Sequence, residues 1–202
     1  MSWSRIGRST RTTSREISAL PAPATLPDLL VDGLDVVFVG INPSVYSAER
    51  GRYFARPGNR FWPCLSRSVL SVRARTALGV EVLGPEHDRL LQQYGIGFTD
   101  VVKRPTPKAS DLSAAELAGG VAVLLEKIAR HKPRIACFHG ITGYRAVHDL
   151  LVGKATPIAL GLQTVQLDAT RIFLVPNPSG ANAHFTREDQ VRWYDAVAHV
   201  IA

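Results

Sequence analysis

An α/β fold, with a mainly parallel sheet covered by helices on both faces, is the class this sequence predicts. Short apolar runs rich in β-branched and aromatic residues recur along the chain and read as strands buried on both faces. Segments of helical period separate them, which is the pattern of parallel pairing through crossovers. The 202 residues, 46% of them apolar, suffice for one cored domain and leave little room for two.

Residues 1–27 are rich in Ser, Thr, Arg, Ala and Pro. They carry Arg5, Arg8, Arg11 and Arg15 against Glu16 and lack the apolar centre of a secretory signal. They are expected to form a flexible basic arm, with residues 28–202 as a single domain. Asp35-Val-Val-Phe-Val-Gly40-Ile41 is the first buried strand, ended by Asn42-Pro43-Ser44. Val45 to Pro57, with its Gly, Ser, Arg and Tyr, reads as a loop. A helix is expected from near Asn59 with Phe61, Trp62 and Leu65, then a short helix over Pro85–Tyr94 with Leu90 and Leu91 inward.

Gly97–Val102 is the next strand and stops at Arg104-Pro105-Thr106-Pro107. Ser113 and Glu116 have capping-box spacing, and Leu117, Val121, Leu124 and Ile128 then form one apolar helical face. Gly119 and Gly120 each weaken that helix by ~1 kcal/mol relative to alanine, so close packing is expected there. After Pro133, Arg134–Gly140 is a third strand, and Gly143–Leu151 a short helix. Thr164–Leu167 and Arg171–Val175 flank the turn Asp168-Ala-Thr as a hairpin or as two successive strands, and the second runs into Asn177-Pro178-Ser179-Gly180. Thr186 and Asp189 can cap a last helix whose stripe is Val191, Tyr194, Val197 or Ala198, and Ile201.

The composition excludes several classes of function. No run approaches the ~20 apolar residues of a membrane span. Cys64 and Cys137 cannot build a disulfide framework or a four-thiolate site, and such usage fits a reducing, cytoplasmic setting. Asp28, Asp32, Asp35 and Asp88 lack metal-ligand spacing. His139, His148 and His184 read as packed, solvated or hydrogen-bonding histidines rather than ligands. There is no dinucleotide fingerprint, phosphate loop or Gly-x-Ser-x-Gly elbow.

The net charge of +7 is unevenly distributed: from Arg50 to Val80 there are seven arginines and no acidic residue. Such a run points to a polyanion-binding face. In a parallel sheet, ligands bind beyond the strand carboxyl ends. Asn42-Pro-Ser, Asp100 with the chain after it, and Asn177-Pro-Ser-Gly all fall there.

Four ordered blocks make the reading specific: Gly40-Ile-Asn-Pro-Ser44, Tyr53-Phe-Ala-Arg-Pro-Gly-Asn-Arg-Phe-Trp62, Gly97-Phe-Thr-Asp-Val-Val-Lys-Arg-Pro-Thr106 and Asn177-Pro-Ser-Gly180. Together, over roughly Leu29 to Ile201, they resemble the mismatch-specific uracil-DNA glycosylase and thymine-DNA glycosylase family. The resemblance implies a three-layer α/β/α sandwich around a short sheet. It also implies cofactor-free, metal-free hydrolysis of the N-glycosidic bond of uracil, or sometimes thymine, opposite guanine in duplex DNA.

Asn42 matches the family's water-positioning asparagine, and Phe54 the aromatic residue that stacks on the flipped pyrimidine. Asn59 would support the pocket, and backbone donors from Ile41 to Ser44 would face the base oxygen. Ser44 stands where the family usually has glycine. The family also implies that residues after the second Asn-Pro turn enter the DNA stack. In this chain those are Gly180, Ala181, Asn182 and His184, with Asn177 and Ser179 at the turn; Ala181 is a small wedge, so Asn182 or His184 is expected to fill the gap. Arg56, Arg60 and Lys103 are the expected phosphate contacts.

Asp100 need not be a carboxylate in the family. Its placement predicts that it activates water and offsets charge on an oxocarbenium-like sugar. The expected enzyme is a monomer acting on double-stranded DNA that carries a U·G or related mismatch. A nucleoside or nucleotide hydrolase and a non-catalytic damage-binding protein are the alternatives.

Overall fold

The computed structural model describes residues 25–201. Its sheet is built from β1 (Val36–Gly40), β2 (Ile96–Asp100), β3 (Ile135–His139), β4 (Gly161–Leu167) and β5 (Thr170–Val175), in the order β2-β1-β3-β5-β4. The first four in that order are parallel, and β4 pairs antiparallel with β5 at one edge. The helices are α1 (Val45–Arg50), α2 (Phe61–Arg67), α3 (Val72–Leu78), α4 (Ala114–His131), α5 (Ile141–Leu151) and α6 (Arg187–Ile201).

Alternation along the strands splits the core into two layers. Val36, Phe38, Phe98, Cys137 and Phe173 point to one side and meet Phe61, Leu65, Ala74, Tyr194 and Val197 of α2, α3 and α6. Val37, Val39, Ala136, Phe138 and Leu174 point to the other and meet Val121, Leu124, Ile128, Tyr144 and Val147 of α4 and α5. The expected three-layer α/β/α sandwich is what the chain forms. Among the described residues no helix is long and apolar enough to cross a membrane.

The capping signals hold. Ser113 Oγ accepts the Glu116 N–H at 3.2 Å while Glu116 accepts the Ser113 N–H at 2.9 Å. Thr186 and Asp189 exchange the equivalent bonds at the start of α6.

Three expectations change. Val45–Arg50 is helical, not loop: Ser44 Oγ accepts the Ser47 N–H, and Gly51, at φ +62°, ends the turn in the left-handed region. Six residues are too few for a helical period to show in sequence. Pro85–Tyr94 is two 3-10 turns, Pro85–His87 and Leu90–Tyr94, in which Leu91 is buried and Leu90 exposed. The folded body also begins before residue 28, since Leu26 is buried in the core; the expected arm otherwise lies outside the described residues.

Gly119 and Gly120 part company. A Cβ on Gly120 would overlap the Val101 carbonyl oxygen, whereas Gly119 has open space. Gly120→Ala is therefore expected to destabilise by about 1–3 kcal/mol. Gly119→Ala, in an exposed helix interior, is expected to stabilise by up to ~1 kcal/mol. Denaturant unfolding of the two variants, with unchanged m-values, measures both signs.

Candidate active site

Parallel register places Gly40 opposite Asp100 and His139 opposite Val175, so the ends of β1, β2, β3 and β5 open onto one face. A cavity of about 220 Å³ lies there, bordered by Asn42, Phe54, Asn59, Asp100, His139 and Asn177. It is smaller than the ~300–1,000 Å³ of pockets for drug-sized ligands and suits a single small ring. The structure thus brings the polar turn after β1, Asp100 and the turn after β5 together. It does not unite the three histidines. His139 lies in the aromatic layer beside Phe38, His148 beside Tyr144 on the other side of the sheet, and His184 on an exposed loop.

Asn42 is oriented by its donors. Its amide nitrogen donates to the Arg104 carbonyl at 2.9 Å and to Thr106 Oγ1 at 2.7 Å. Thr106 Oγ1 spends its own proton on the Lys108 carbonyl at 2.7 Å, so toward Asn42 it can only accept. Both amide protons are therefore committed, and the side-chain oxygen is left to accept from a molecule in the pocket. Ile41 is fixed through its backbone, its carbonyl accepting the Val102 N–H at 2.9 Å. Ser44 borders the cavity as well, but its hydroxyl caps α1 and meets Ser47 Oγ at 3.1 Å. That makes it first a structural residue of the turn.

Asp100 ends β2 with only 4% of its surface exposed. One carboxylate oxygen sits against Gly40, where any Cβ would collide with it. The other is buried without a hydrogen-bond partner, 3.5 Å from Lys103 Nζ. Burial pushes the carboxyl up to about 6; Lys103 works against that rise and Asp28 with it. A carboxylate that is ionised at neutral pH yet retains proton affinity matches the requirement for a general base.

Phe54 sits at φ +53°, a backbone state rare for a bulky residue and a mark of local constraint. Its ring stacks on Phe61 at 4.1 Å and 18° and meets His139 edge-on at 5.2 Å. Asn59 supports this loop by accepting the Phe61 N–H at 2.9 Å.

His139, read from sequence as a packed, solvated or hydrogen-bonding histidine, also lines the pocket, a placement the sequence reading did not assign to it. It is buried, held neutral by burial that pushes its pKa down to about 3, stacked on Phe38, and bonded through Nε2 to the Tyr194 hydroxyl at 3.1 Å. Its position at the end of a predicted strand, equivalent to that of Asp100, was the available signal.

The residues expected to meet DNA fall into two groups. Arg56 is exposed at the cavity mouth. The turn after β5 is self-braced: Asn177 Oδ1 accepts the Ser179 N–H at 2.9 Å, and Asn182 Nδ2 donates to the Asn177 carbonyl at 3.0 Å. Gly180 packs so closely on Gly58 that a Cβ would strike the Gly58 carbonyl, and Ala181, Ala183 and His184 are exposed beyond it.

Arg60 and Lys103 have other engagements. The Arg60 guanidinium donates to the carbonyls of Phe185, Asn182 and Gly180 at 2.5, 2.7 and 3.3 Å, so it shapes the loop. Lys103 pairs with Asp28 at 2.9 Å and lies 3.5 Å from Asp100, turned to these carboxylates and not to the cavity mouth.

Comparison with known proteins agrees with this architecture. The solution NMR structure of a Methanosarcina acetivorans protein, provisionally described as a uracil DNA glycosylase, is similar in fold, with a TM-score of 0.55 at 23% sequence identity. The match covers 89% of this chain and 99% of that one. The family model described as the Uracil DNA glycosylase superfamily matches residues 27–198. The chain therefore belongs to the uracil DNA glycosylase superfamily, a group of hydrolases that act on DNA.

Proposed function

We propose that the protein is a monofunctional, mismatch-specific glycosylase that removes uracil, or thymine, opposite guanine in duplex DNA and leaves an abasic site. The observation that carries this reading is the pairing, in one small cavity, of an amide whose free atom is an acceptor with a buried carboxylate. The same cavity carries an aromatic ring on its wall.

In this mechanism the nucleotide leaves the helix and its base enters the cavity against Phe54, while residues after Gly180 occupy the vacated stack. Asn42 Oδ1 accepts one proton of a water and orients it. A neutral amide has no useful basicity, so the proton that must leave goes to Asp100. The water oxygen bonds to the sugar C1′ as the C1′–N1 bond breaks, and that electron pair departs with the base. Negative charge on Asp100 favours the cationic sugar. Lys103, committed to Asp28 and placed beside Asp100, does not act as an amine nucleophile, and the abasic strand stays uncut.

A panel of U·G, U·A, T·G and single-stranded uracil DNA with free deoxyuridine tests this. Cleavage of U·G that appears only after alkali supports it; turnover of nucleoside alone, or DNA binding without product, overturns it.

Asp100→Asn is expected to lower the single-turnover rate by ~10²–10⁴. The folded carboxyl lies above its ordinary 3.8, so its contribution to stability is present below pH 3.8 and lost as pH rises through about 6. The same variant should therefore gain up to about 3 kcal/mol at pH 8 and little at pH 4, read by denaturant unfolding at both pH values. Arg56→Ala should reduce the salt slope of DNA affinity by about one, which a titration of binding against salt measures.

A further inference from the structure

At the edge of the pocket two carboxylates, Asp100 on its border and Asp28 outside it, compete for one lysine. Asp28, on the segment leading into β1, accepts Lys103 Nζ at 2.9 Å, Lys127 Nζ of α4 at 2.7 Å and the Thr99 hydroxyl at 2.7 Å. Lys103 Nζ also donates to the Tyr53 hydroxyl at 3.2 Å and stands 3.5 Å from Asp100 Oδ2, a charge contact too long for a good hydrogen bond. The Lys103 carbonyl is fixed as well, accepting Thr25 Oγ1 at 2.5 Å. The ammonium is thus held closer to the carboxylate outside the cavity than to the one bordering it.

The other groups around Asp100 come from each neighbouring element. Tyr53, from the loop after α1, is a phenol that burial keeps protonated, and Arg56 from the same loop lies exposed at the mouth. His139 of β3 is neutral, and Lys127 of α4 is taken up by Asp28. Among these, Lys103 and Asp28 alone bring opposite charges close to the Asp100 carboxylate.

We propose that Lys103 is a positioning residue for the reaction: shared between Asp28 and Asp100, it keeps Asp100 ionised at neutral pH without forming a full ion pair that would quench its basicity. This rests on Asp100 being the base. A lysine committed wholly to Asp100 would make it a weak base, and without a lysine the buried carboxyl would hold its proton into the neutral range. Asp28 sets the intermediate case by drawing the ammonium toward itself. The upward displacement of Asp100, opposed by Lys103 and assisted by Asp28, is in line with that balance.

The two partners must therefore act in opposite directions. Single-turnover rates at saturating enzyme on a U·G duplex, from pH 5 to 9, would be measured for the parent, Lys103→Met, Lys103→Arg and Asp28→Asn. In Lys103→Met the rising limb should move up by about one pH unit, so the rate falls about fivefold at pH 6 and about tenfold at pH 5, and recovers at high pH. Lys103→Arg should keep the parental limb. In Asp28→Asn the limb should move down.

A readout independent of turnover accompanies these profiles: the pH dependence of unfolding for each protein with and without Asp100→Asn, which tracks the Asp100 titration itself. Opposite displacements in both measurements support the proposal. An inactive Asp100→Asn protein combined with unmoved limbs and titrations overturns it and leaves Asp100 as the base. A fully active Asp100→Asn protein overturns the base assignment, and with it the positioning role of Lys103, whatever the titrations do. Should Lys103→Met fail to fold, an unmoved limb in Asp28→Asn is sufficient to overturn it.

Discussion

Parallel pairing of β1 with both β2 and β3 is the constraint from which the site follows. Because the strands run the same way in matched register, Gly40, Asp100 and His139 end at the same level, and the chain after each must turn over the same edge. A parallel sheet is covered on both faces, so its strand ends are the one place where polar groups gather without breaking the core. The register also explains Gly40. It sits beside Asp100, and only a residue without a side chain leaves room for the carboxylate to fold over β1. The buried charge is tolerated because Lys103 is near. It remains costly because that lysine is shared.

The wall of the pocket is stiffened from below. Phe54 in a left-handed conformation is unfavourable by itself, and what holds it is the aromatic layer it joins: Phe61 at 4.1 Å, with Phe61 in turn edge-on to Phe38 at 5.0 Å and Trp62 at 5.0 Å. The loop's backbone is tied at both ends of that layer. Trp62 Nε1 donates to the Tyr53 carbonyl at 2.9 Å, and the Tyr53 N–H donates to Asp88, which Arg52 also engages at 2.6 Å. The ring is thus set before any ligand arrives, and a preset ring loses less entropy on stacking than a mobile one.

The layers of the fold were legible because burial on both faces leaves apolar runs, and the capping pairs Ser113–Glu116 and Thr186–Asp189 carry the spacing of a helix start. The site was legible as positions. Asn42, Phe54 and Asp100 meet where strand ends must meet. The direction of individual donors was not. Arg60 and Lys103 stand in basic surroundings in sequence, yet one turns onto three carbonyls and the other onto two carboxylates, partners 75 or more residues away in most cases. Side-chain direction depends on these distant contacts, which local period and charge do not encode. The place of His139 in the cavity was not legible for the same reason, since a histidine in an apolar run looks alike whether it faces a helix or a cavity.

The arginine run from Arg50 to Val80 shows how a charge pattern and a contact pattern differ. Arg52 and Arg67 are paired with Asp88 and Glu188, so their fields are largely cancelled at a distance. Arg60 and Arg75 also make specific bonds, but to neutral carbonyls and a serine hydroxyl. A guanidinium bound to a carbonyl keeps its full charge. It therefore contributes to the attraction a phosphate backbone feels while being unavailable to touch one. The excess charge in sequence measures the strength of that attraction, and only exposed arginines near the cavity, Arg56 foremost, can convert it into direct contacts. On the proposed DNA substrate, attraction and backbone placement would thus fall to different members of one run.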